Sequence, residues 1–346
     1  MRATIALSEA SARVRVIAAN TPVNLRQELA RLQASWGAEG AVIPRFVYER
    51  VPGCAAIQGA LADLAAELME RGELGAVYAA RAEELSEDAA LCEHAGMPGL
   101  WAAARRRYAR RDGFDDEADI TAQEWLAEGP PPEDDEELVQ SDDERSPRSL
   151  VSRMREEIGK RRLPLRVVVK DNIASLAATG DGFVQVIAGK MLARRDVERT
   201  VLHEIEGHAE PRVLASTAPL GIFVLGTARG ADDQEGRALW LERAHGYLDH
   251  GRRREIALRH VAARSVEARA DFVETVRLLV DHGAPIDVAL RVGARVHRGG
   301  GLGREAVYLP ALLRVEAAIA RDRSLDRVLR VGRVSVDAAP FLASFL

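Results

Sequence analysis

Six consecutive residues constrain this chain more than any others: His203-Glu204-Ile205-Glu206-Gly207-His208. Two imidazoles and a carboxylate this close together suit a divalent ion, which takes nitrogen and oxygen donors at about 2 Å. In the commoner HExxH arrangement the histidines stand one turn apart on one face of a helix. Here one extra residue separates them, and five positions along a regular α-helix turn two side chains roughly 140° apart. Both rings reach one ion only if the helix widens into a π-type turn or breaks at the second histidine. Gly207, directly before His208, has the backbone freedom for either. Glu204 next to such an ion suits the acceptance of a proton from water. The plain alternative is a pair of ordinary surface or core histidines. His245 and His250 (HGYLDH) share the spacing but lack a carboxylate after the first ring, and they are assigned no metal.

A catalytic ion needs a further protein ligand. Asp232 to Ala238 (DDQEGRA) reads as a helix opening, with acidic residues where a helix N-terminus favours them. Glu235 is one candidate ligand and Glu242, two turns later on the same face, is another. Glu206 is a third, although it shares the helix of the histidines. Spacing leaves this choice open.

The rest of the chain reads as α+β, mostly helical, with a small sheet leading into the motif helix. Ile57, Leu61, Leu64 and Leu68, then Leu74, Val77, Leu85 and Leu91, recur at helical spacing. Residues 1–127 are therefore expected as a mostly helical N-terminal region. Residues 128–149 combine a proline run with acidic residues and little to bury, which predicts a linker or loop. Residues 150–346 are expected as the catalytic region. In it, Leu165 to Lys170 and Phe183 to Ala188 predict strands, and Arg195 to Ala209 predicts a helix. Further helices are expected over Gln234 to Leu248, Glu255 to His282 and Leu309 to Ala320.

Composition excludes some functions. A net charge of -5 gives no general attraction to nucleic acid or to an anionic membrane. With only Cys54 and Cys92 there is neither a disulfide framework nor a cysteine-based zinc site. The N-terminus lacks the apolar run of a signal peptide, and Ala218 to Ala228 is too short to span a bilayer. A cytoplasmic location is the expectation.

HEIEGH followed by QEGRA resembles the QEGLA-motif family, whose pattern is HEIGTH and then QEGLA or EEGLA. The animal relatives of that family are the microtubule-associated tyrosine carboxypeptidases. The likeness extends to Pro44 to Tyr48 (PRFVY), Arg81 to Leu85, Leu91 to Tyr108, Arg295 to Gly299 (RVHRG) and Ala306 to Leu309 (AVYL). It runs over roughly residues 40 to 330 and is best from 195 onward. The resemblance implies a zincin-like fold with one Zn2+ held by His203, His208 and Glu235, Glu204 as the catalytic base, and a peptide or protein C-terminus as substrate. Glu242 then becomes a supporting residue beside the metal ligands. Arg298 and Arg304, with Tyr308, lie in blocks the family shares and are candidates to hold a terminal carboxylate. By analogy with zinc peptidases of this build, the strand Phe183 to Ala188 is expected to pair with an extended substrate. The chain departs from the family where Glu206-Gly207 replaces Gly-Thr, where Arg237 replaces Leu, and over Glu210 to Gly230. An endopeptidase maturing a small peptide, and a non-catalytic regulatory module of the same fold, are the competing readings.

Overall fold

The computed structural model describes residues 2–36, 41–110, 112–130, 137–171, 173 and 175–346, and most of that chain is helical. It forms two compact units, each built from two stretches of sequence. One comprises Met1–Pro130 with Arg253–Pro310, the other Pro131–Arg252 with Ala311–Leu346. The region expected as one catalytic block, 150–346, is therefore divided, with residues 253–310 grouped with the N-terminal part. No helix among the described residues is long and apolar enough to cross a membrane.

In the first unit the apolar periodicity around Ile57 to Leu91 becomes a helical hairpin, Cys54–Met69 and Gly72–Glu93. Ile57, Leu61, Leu68, Leu85 and Leu91 are buried, as their spacing requires. The helices Phe272–Asp281 and Ile286–Val296 also belong here. Asp271 starts the first of these with a reciprocal capping box, its carboxylate accepting from the Glu274 amide at 2.8 Å. The helical stretch expected over Glu255 to His282 is divided ahead of this cap, into His250–Glu267 and Phe272–Asp281. Cys54 and Cys92 are buried free thiols.

The second unit carries the sheets. Strands β1 (Leu138–Gln140) and β5 (Met191–Ala193) pair antiparallel, and β2 (Arg166–Lys170), β4 (Phe183–Ile187) and β3 (Ala177–Thr179) form a second sheet in that order. β2 and β4 are parallel, whereas β3 and β4 are antiparallel. Part of the stretch expected as linker or loop is thus ordered. β1 lies within it, and the buried Ser141 donates its hydroxyl to the Ile187 carbonyl at 2.6 Å. Residues 131–136 of that stretch fall outside the described residues.

Alternation on β4 turns Val184 and Val186 into the core. They join Val151, Met154 and Ile158 of the helix Leu150–Lys160, and Val197, Val201 and Ile205 of the helix that follows β5. Ser149 caps Leu150–Lys160 by accepting from the Ser152 amide. This packing presses the motif helix against the sheet and sets β3 beside the motif. β4, expected to pair with substrate, is the central strand, flanked on both sides. Its ladder positions are taken, so that expectation is corrected: among the described residues β2 and β3 are the outer strands of this sheet.

Candidate metal centre

The helix after β5 runs as α-helix over Arg194–Leu202, as π-helix over His203–Ala209, and again as α-helix over Glu210–Ser216. This is the widening that the five-residue spacing demands. Gly207 serves it differently from the expectation. Its φ is not among the positive ones. A Cβ at Gly207 would stand 2.7 Å from the Ala238 Cβ, so the missing side chain admits the next helix, Gly230–Ala244. That helix in turn comes close to Ala311: a Cβ at Gly236 would lie 2.4 Å from the Ala311 carbonyl carbon and oxygen.

The π-turn turns the two Nε2 atoms toward each other, 3.2 Å apart. Glu235, from the helix Gly230–Ala244, sets Oε2 at 3.6 Å from His203 Nε2 and 3.7 Å from His208 Nε2. A point equidistant from these three atoms lies about 2.0 Å from each, and donors around a tetrahedral zinc stand roughly 3.4 Å apart. The residues fit a divalent ion. His203, Glu204 and His208 also bring donor atoms within 4.8 Å of one another.

Both rings are oriented from behind. His203 Nδ1 meets Glu242 Oε1 at 2.7 Å, and Glu242, fully buried, accepts from Arg252 Nε at 2.8 Å and Nη2 at 3.0 Å. His208 Nδ1 meets Gln234 Oε1 at 3.1 Å, and the Gln234 amide donates to the Gly332 carbonyl at 3.3 Å. With each Nδ1 engaged, each Nε2 is the nitrogen that faces the shared point, where a bound cation would take the place of any proton it carries. Burial opposes charge on His203, but hydrogen bonds to Glu235 and Glu242 and the nearby Glu204 raise its pKa to about 10. Carboxylates converge on this partly buried ring, and a cation is what such a potential favours. Glu242 itself is held down to about 2, burial being outweighed by Arg252 and His203.

Glu204 is buried beside the rings and accepts the Thr179 hydroxyl on Oε2 at 2.9 Å. Glu206 turns away and pairs with Arg161, so it offers nothing to the ion. His245 follows the end of one helix and His250 begins another, so their equal spacing does not lie on a single helix. Arg298, Arg304 and Tyr308 belong to the first unit, whereas the histidines and Glu235 belong to the second. Within the first unit, Arg298 is buried with an Nε that has no partner among the described residues, and Arg304 donates to the Tyr308 hydroxyl at 3.0 Å. Burial, then the neighbouring Arg295, lowers the Arg298 pKa to about 10.

Sequence reasoning missed Thr179, Gln234 and Arg252. Gln234 had a signal, being the first residue of the QEG run. Thr179 lies on a three-residue strand, too short to show an alternating pattern, and nothing near Arg252 marks it out.

The fold and this geometry define a mostly helical α+β protein with a candidate divalent-metal centre. The chain matches the family model described as microtubule-associated tyrosine carboxypeptidase over residues 37–346, and it belongs to that family. No curated protein matches it.

Proposed function

We propose that the chain is a zinc-dependent carboxypeptidase of the QEGLA-motif, zincin-like kind, removing a C-terminal tyrosine or other aromatic residue from a peptide or protein. The observation that carries this is the triangle of His203 Nε2, His208 Nε2 and Glu235 Oε2, with both Nδ1 atoms already engaged. Those three residues would hold the ion. When bound, zinc supplies a water of lowered pKa and polarises the scissile carbonyl. Glu204 has one oxygen tied to Thr179, which leaves Oε1 to take the proton of the attacking water and return it to the leaving amine. β3 is the sheet edge that bears Thr179. Its ladder alternation turns the Thr179 backbone N–H and C=O away from β4, an arrangement suited to an extended substrate. For the terminal carboxylate we keep Arg298, Arg304 and Tyr308. Glu305 accepts from Arg259 and Arg295, and the unpartnered Arg298 Nε beside them suits a carboxylate ligand.

The test is zinc content and product analysis on the full chain. Wild type should bind one zinc and release single residues from peptides ending in tyrosine, read by mass spectrometry. Glu204→Gln should keep the zinc and lose roughly a hundred- to ten-thousand-fold in rate. Arg298→Ala should raise KM. Internal fragments would establish the endopeptidase reading instead. A zinc-free wild type would overturn the whole assignment.

A further inference from the structure

Arg237, the residue that replaces the family's leucine, is used inside the motif's own turn. The π-bonding of that turn ends where the Glu210 amide donates to the Ile205 carbonyl. In the same register the Glu206 carbonyl would take the amide of residue 211, which is Pro211 and has no N–H. In α-register it would take the Glu210 amide, which is already committed to Ile205. The Glu206 carbonyl is thereby left without a main-chain donor. Arg237 Nη1 donates to it at 3.1 Å, while Arg237 Nε donates to Asp326 Oδ1 at 2.8 Å. The arginine is 3% exposed, so it has little access to water as an alternative partner. The neighbouring Ala238 packs on Gly207, which brings the guanidinium within reach of the turn.

The alternatives available to this turn decide the consequence. Without the guanidinium, the unserved carbonyl gains a donor if the Glu210 amide slips back from Ile205 to Glu206. That slip strands the Ile205 carbonyl in turn, and only when each preceding amide of the π-helix His203–Ala209 follows is α-register restored, in which residues five apart stand roughly 140° apart around the helix and His203 and His208 no longer face one point. The geometry assigns Arg237 as a positioning residue: it serves the carbonyl that Pro211 leaves without a donor and so holds the register that brings the two imidazoles together. This assignment rests on the metal-centre reading above.

The test is a double-mutant cycle read by zinc affinity, with competing chelator, on the metal-free full chain. Arg237→Leu should weaken zinc binding by roughly ten-fold or more, the range for residues that orient metal ligands. Pro211→Ala returns an amide in the π-register, so Arg237→Leu/Pro211→Ala should recover most of that loss, and Pro211→Ala should itself bind within about two-fold of wild type. Arg237→Lys, which keeps a charged donor, should lose less than Arg237→Leu. If Arg237→Leu fails to fold, a double variant that folds and binds zinc still supports the assignment. A double variant that fails like the single overturns it. Equal affinities of wild type and Arg237→Leu would overturn the role of Arg237 while leaving the metal centre standing, whereas a wild type that binds no zinc would overturn both.

Discussion

Replacing Glu242 with glutamine removes one charge behind His203 and changes almost no volume. Glu242 is fully buried and accepts from His203 Nδ1 at 2.7 Å and from Arg252 at 2.8 and 3.0 Å. A hydrogen bond to a charged group contributes about 1.5–3 kcal/mol. Glutamine keeps one carbonyl oxygen for these donors but loses the charge. In the proposed zinc centre the His203 bond is the one that would act on the ion, since it sets the ring's tautomer and its basicity. Losing its charge assistance should weaken zinc binding by roughly 10- to 100-fold, equivalent to about 1.4–2.8 kcal/mol. Arg252 loses its buried counter-charge in the same substitution, which should lower folding stability by an amount approaching the 3–5 kcal/mol of a broken buried pair, that is, roughly 2–4 kcal/mol. Zinc titration against a chelator measures the first effect and urea denaturation of the metal-free protein the second. A folded Glu242→Gln variant that binds zinc within two-fold of wild type would refute the argument that Glu242 acts on the ion through His203.

Two further outcomes follow from the packing. Gly236→Ala sets a methyl group against the Ala311 backbone, which has no side-chain freedom to yield; it should cost about 1–3 kcal/mol and, by shifting the adjacent Glu235, lower zinc affinity, checked by Tm and titration. Glu305 is held down from 4.5 to about 2, because Arg259 and Arg295 outweigh its burial. Its stabilisation is therefore complete above about pH 4.5 and lost as the pH falls toward 2, on the order of 3 kcal/mol, and Glu305→Gln should flatten that part of the stability profile.

The wide spacing of the histidines already specified a π-turn or a break, because five residues on an α-helix cannot aim two rings at one ion. That geometry is local, so it could be read from consecutive residues. The role of Gly207 was not local. Its missing Cβ matters because Ala238, thirty-one residues later, packs against it. β4 was expected to be open to substrate because strand identity is visible in an alternating pattern, whereas strand order depends on which neighbours pair. β3, too short to carry a pattern, was missed, and with it Thr179. The proline that strands the Glu206 carbonyl was in plain view, but its meaning required knowing which register the preceding turn adopts and which side chain reaches it.

By itself the amino-acid sequence determined the donor types, their order and the helical distortion, since covalent spacing and helix pitch decide those. Only the tertiary structure decided which carboxylate faces the Nε2 atoms and which stands behind a ring. Glu235 and Glu242 lie on one helix seven residues apart, and their roles separate only when that helix packs across the π-turn at one particular height.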